Sequence, residues 1–127
     1  MLAAWILCVA PASFAAEPDL RPPAEGYVLH CSGCHGLAGH GVPGTIPTLH
    51  GIGRFGSTPD GRAYLASVPG VAQAPVGDAE LAILLNWVLE AFSDAPPTPP
   101  YSAEEVGRFR SRPLRDTTAA RAALTAP

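Results

Sequence analysis

The stretch Cys31-Ser32-Gly33-Cys34-His35-Gly36 decides how the rest of the chain is read. Two cysteines separated by two residues, with a histidine directly after the second, form the attachment pattern of a c-type haem. The spacing follows from the chemistry. Each thiol adds its S–H across one vinyl group to give a thioether, and one helical turn presents both sulfurs to neighbouring vinyls. The next residue then lies beneath the iron, where its imidazole serves as an axial ligand. Cys31 and Cys34 are thus the expected covalent anchors of one haem c, and His35 its proximal iron ligand. Gly33 and Gly36 would keep side-chain bulk off the macrocycle.

Two other readings of the same cysteines are weaker. A zinc site needs two further well-spaced ligands, and His40 with His50 makes no recognisable second pair. A redox dithiol of the thioredoxin kind needs a strand before it, and none is legible there.

At 127 residues the chain is one domain with at most a small appendage. Its apolar share of 47% leans on alanine and on the N-terminus, so the core is small. A small core wrapped on a covalently held, largely apolar macrocycle is a sensible solution at this length. All eight basic residues are arginine. Residues 17–107 carry ten acidic residues and three arginines; residues 108–127 carry five arginines and one aspartate. A net charge of −3 with only a short basic end argues against nucleic-acid binding.

Residues 1–15 read as a signal peptide. Leu2 to Ala10 is an apolar run too short to span a bilayer, and Ser13-Phe14-Ala15 places small residues where a signal peptidase reads. Cleavage would remove Cys8 and leave no transmembrane segment. Residues 16–94 then form the expected haem domain, and residues 95–127 a proline-rich linker with an arginine-rich helical tail.

Within that domain the spacing predicts a helix over Ala24–Cys34 with Tyr27 on the face of His35. Gly36–Thr58 is rich in glycine and proline and reads as a loop wrapped on something else. Thr58-Pro59-Asp60 opens a second helix, which Pro69-Gly70 should stop. Val71–Gly77 reads as a loop. Asp78 is the expected N-cap of the longest helix, Ala79–Phe92, with Leu81, Leu84, Leu85, Val88 and Phe92 on one face. Ser102 to Glu105 has the form of a capping box. The expected class is all-α, three or more short helices and long loops around one haem, plus a C-terminal extension.

Over Ala24–Phe92 the chain resembles the class I c-type cytochromes. Beyond the haem motif, Pro47-Thr48-Leu49-His50-Gly51 is similar to that family's proline-leucine-glycine segment, with Pro47 twelve residues after His35. The resemblance implies that the Pro47 carbonyl accepts the other ring N–H of the proximal histidine, fixing its tautomer and raising its basicity. It implies that Tyr27 packs near Trp87, and it makes Arg54 the candidate propionate contact. It also implies haem attachment outside the cytoplasm, hence a periplasmic or otherwise exported protein.

The departure is on the other face of the iron. Most members supply a methionine from the loop before the last core helix. Here that loop, Pro69–Gly77, has no Met, His or Lys, and the sole methionine is Met1. The alternatives are an open sixth position, His40 or His50, or a group from the new N-terminus, the tail (Tyr101, for instance) or a partner. His30 reads as a surface or packing histidine. The expected function is single-electron transfer with a periplasmic dehydrogenase or respiratory partner. The alternatives are small-ligand binding at an open iron, as in gas sensing or peroxide chemistry, or a structural haem subunit of a larger complex. No distal acid–base pair is legible, so catalysis ranks below binding. The tail arginines are expected to be solvated, to fold back on the acidic body, to neutralise a haem propionate (with Arg54 the better candidate for that), or to dock an acidic partner.

Overall fold

The computed structural model describes residues 20–94 and 99–125. The expected signal peptide and most of the proline-rich linker lie outside them. The described residues are helical, with one isolated bridge between Val42 and Ile46 and no strand.

The first expected helix is two. α1 (Pro23–His30) stops at Cys31, whose φ of −123° leaves the helical region, and α2 (Ser32–His35) restarts the turn. The break falls at Cys31 itself, between His30 and Ser32. The long loop that follows is closed on itself. Gly41 N–H donates to His35 O at 2.8 Å, Leu49 N–H to Gly39 O at 2.8 Å, and Val42 and Ile46 pair across a turn. Late in this loop the short α3 (Gly53–Gly56) places Phe55 in the core.

α4 (Pro59–Ser67) starts as its sequence dictates, with the Thr58 hydroxyl accepting from Gly61 N–H and proline in the first turn. Pro69 does end it, but also opens α5 (Pro69–Ala72), so the expected loop begins as a helical turn. α6 (Asp78–Ala91) is the central helix. Its cap is the extended Gly77, and Asp78 caps nothing with its side chain; its carboxylate faces Arg110 instead. Leu81, Leu84, Leu85, Val88 and Leu89 are buried along its length. Tyr27 meets this helix in an aromatic cluster, 5.5 Å from Trp87 and 5.2 Å from Phe92 between ring centroids.

The C-terminal extension is part of the same core. α7 (Ala103–Arg110) packs on α4 and α6, with Val106 fully buried and Tyr101 just before the helix 4% exposed. Ser102 accepts from Glu105 N–H, half of a capping box. The other half is absent because the Glu105 carboxylate is bound by Arg62 at 2.6 and 2.8 Å. Arg62 also donates to Gly56 O and Pro99 O, so four of the five N–H donors of a buried guanidinium are engaged. α8 (Thr117–Thr125) follows a turn in which Leu114 N–H donates to Ser67 O, and rests on α4. The boundary expected at residue 95 therefore does not divide the hydrophobic core.

Candidate functional site

Cys31, Cys34 and His35 share one wall of an apolar cavity of about 280 Å³. α6 supplies a second wall through Leu81, Leu84, Leu85, Val88 and Leu89, and α4 a third through Tyr64 and Leu65. The loop before α6 contributes Gly70, Val71 and Ala74. The remaining side is the segment Thr45–Leu49, together with Thr117 and Arg121 of α8. Motif and cavity are brought together by the packing of α1 on α6, where Gly26 lies against Leu84.

His35 is held by its backbone neighbours. Its Nδ1 lies 3.0 Å from the Pro47 carbonyl. A carbonyl can only accept, so Nδ1 carries the proton and Nε2 keeps its lone pair. Burial lowers the imidazole pKa below its ordinary value, and the Pro47 bond only partly opposes this. The neutral form, with an available Nε2, is the form that ligates iron. Pro47 stays in place because the loop packs tightly behind it. Gly41, at φ +68°, sits where a Cβ would collide with the carbonyls of Ile46 and Pro47.

The two thiols differ. Cys34 is exposed and Cys31 half-buried, and no disulfide joins them. Burial, reinforced by Cys34, pushes the Cys31 thiol up to about 11. A redox dithiol depends on a depressed thiol pKa, the opposite arrangement. Among the described residues no cluster of three or more His, Cys, Asp or Glu side chains could hold a metal ion, so the further ligands of a zinc site are not assembled. A haem iron asks for less, since a single protein imidazole can hold it. At Gly33 and Gly36 an added Cβ would meet no protein atom within 4 Å.

The other expected residues divide sharply. Arg54 is exposed, with its guanidinium 4.9 Å from the Phe55 ring centroid, and does not line the cavity. His40 and His50 stack on each other at 4.8 Å on the outside of the loop. His50 Nε2 meets the Ala38 carbonyl at 2.8 Å and its ring edges onto Phe92, so neither histidine faces the cavity. Tyr101 is removed too: its hydroxyl donates to Arg62 O at 3.0 Å in the core between α4 and α6. His30 differs from expectation in the opposite sense. It lies on the cavity wall, and its Nε2 is buried without a hydrogen-bond partner.

Three contributors are singled out by no motif in the sequence. Tyr64 lines the cavity, although nothing in its spacing sets it apart from a core aromatic. Arg110, from α7, donates to the carbonyls of Ala72, Ala74 and Val76 and to Asp78, pinning the loop before α6. Arg121 reaches the cavity from α8. The one available signal was its spacing, since Thr117, Ala120, Arg121 and Leu124 fall on a single helical face.

The residues fit a haem on their chemistry. Two thiols and a ligating imidazole stand on one wall of an apolar cavity, and the His30 Nε2 on that wall lacks a polar partner. Among the described residues no helix is long and apolar enough to cross a membrane. Comparison of the chain with protein-family models, with curated proteins and with solved structures returns no match.

Proposed function

We propose that the chain is an exported, monohaem c-type cytochrome of the class I kind that carries single electrons to or from a periplasmic dehydrogenase or respiratory partner. One observation carries the reading: the thiols of Cys31 and Cys34 and the free Nε2 side of His35 share one apolar cavity, with Nδ1 of His35 engaged by Pro47. Haem, when bound, supplies one-electron chemistry at its iron. Cys31 and Cys34 would anchor it as thioethers, His35 Nε2 would ligate its iron, and Pro47 would hold the histidine tautomer. The leucines of α6 exclude water and lower the local dielectric.

A second reading draws on the loop opposite. Gly70, Val71 and Ala74 face the cavity and none carries a ligating atom, while His40, His50 and Tyr101 point elsewhere. An open sixth position that binds a small ligand follows from that wall.

The test is the full chain produced alongside a c-type haem attachment system. The expected protein keeps its chromophore through a denaturing gel, and the C31A/C34A double variant loses it. A wild-type chain that acquires no covalent chromophore overturns the reading. Carbon monoxide then separates the two functions: rapid binding by the ferrous protein favours the open site, and its absence a closed electron carrier. In either case a midpoint potential below that of His/Met relatives is expected, because methionine ligation raises it.

A further inference from the structure

The C-terminal helix brings a cation to a cavity that is otherwise apolar. Arg121 lines the same cavity as Cys31, Cys34 and His35. It lies equally on the adjoining groove of about 430 Å³, which shares Thr45, Tyr64 and Thr117 with the cavity. Arg121 thus stands where the apolar interior passes into a wetter exit. Among the described residues the only carboxylates in ion pairs belong to Glu105, bound to Arg62, and Asp78, bound to Arg110. Among the described residues the Arg121 guanidinium has neither a carboxylate nor a carbonyl within bonding distance, and its one directed contact there is the Phe55 ring, 5.0 Å away at the centroid. Arginine stays charged at any working pH, so this is a permanent, half-buried cation facing a ligand-sized space.

Its position is fixed by the chain around it. Asp116 caps α8 by accepting from Ala119 N–H at 2.8 Å, and Leu114 N–H ties the preceding turn to the end of α4 at 2.8 Å. Ala120 and Leu124 seat the same helical face on the core. The docked helix therefore keeps the root of the Arg121 side chain at the cavity mouth.

We infer that Arg121 is an anion clamp at the cavity mouth, taking a carboxylate of the bound macrocycle, and that α8 belongs to the cofactor site. The inference rests on the haem reading given above. A planar guanidinium suits a carboxylate through paired N–H donors, and Thr117 or Tyr64 can add a hydroxyl. Arg54, whose guanidinium also lies over the Phe55 ring, does not line the cavity.

The test is the midpoint potential of the haem-loaded full chain as a function of pH, for wild type, R121Q, R121K and R112Q. Losing the clamp leaves a carboxylate uncompensated beside the iron. R121Q is expected to shift the potential negative at neutral pH and to move the carboxylate's inflection to higher pH. R112Q loses the same formal charge from an exposed site off the cavity wall and is expected to follow wild type. An R121Q curve that superimposes on R112Q at every pH overturns the clamp while leaving the haem reading intact. Should R121Q yield no folded protein, R121K decides: a lysine keeps the charge but not the paired donors, so its inflection moves part of the way, and an unmoved one overturns the proposal. A wild-type chain that acquires no chromophore overturns the haem reading and the clamp with it.

Discussion

Glu105 is the residue whose loss costs the core most directly, because it is the only carboxylate on the Arg62 guanidinium. Replacing it with alanine leaves a buried cation with two carbonyl partners and no counter-charge, at a cost of about 3 kcal/mol. The denaturant midpoint of the E105A protein at neutral pH measures that loss. Arg62 also holds the Glu105 carboxyl below its ordinary value of 4.5. A depressed folded-state pKa stabilises above the unfolded value and is lost as pH falls through the folded one. The wild type should therefore lose stability below about pH 4.5 along a limb that flattens in E105Q. Gly41 gives a second test at this scale. Alanine there meets positive φ and two carbonyls, a penalty of about 2 kcal/mol or more. At Gly44, which has similar φ but open space around it, the penalty is about 1 kcal/mol. Comparing the two denaturation midpoints isolates the packing behind Pro47. Of these residues only Pro47 and His35 could be singled out from the sequence. Their relation is a fixed interval along one loop, whereas Arg62 and Glu105 are 43 residues apart and nothing local marks them as partners.

Among the elements, α4 and α6 were legible because their start signals and apolar spacing are local. The errors came where a tertiary partner took over a local role. Asp78 looks like a cap, but Arg110 captures its carboxylate and Gly77 takes the cap position. Glu105 looks like the returning half of a capping box, but Arg62 binds it more strongly than a backbone N–H can. The loop before α6 shows the same effect on a larger scale. Past the short α5 it has no regular structure to pair its carbonyls, and one guanidinium from α7 ties three carbonyls of the loop. R110M should therefore loosen residues 69–78 while α6 keeps its protection. Hydrogen exchange checks this: faster exchange confined to that loop is expected, with a stability loss of about 2 kcal/mol. Equal protection of the loop in both proteins would show that backbone packing alone holds it.

For the whole molecule, the C-terminal segment divides into a part the core needs and a part the cavity needs. Tyr101 and Val106 are buried with α4 and α6, so truncation before Pro99 should prevent cooperative folding. Truncation after Asp116 removes only α8, whose residues are half-buried or exposed. That protein should unfold cooperatively with a modestly lower midpoint and bind an apolar dye more strongly, because Thr117 and Arg121 no longer close the cavity. The same division explains what could be read in advance. The sequence by itself determined the all-α class, the haem-attachment signature, the absence of a methionine from Pro69–Gly77, and the two best helices. These rest on spacings of a few residues, where covalent geometry and helical period leave little choice. Only the tertiary structure decided that the arginine-rich tail is core and cavity wall, and that Arg121 rather than Arg54 reaches the cavity. It also decided that His30 faces inward while His40, His50 and Tyr101 do not. A side chain's pairing across 30 or more residues depends on which helices cross and at what register, and that is settled by packing the whole core at once.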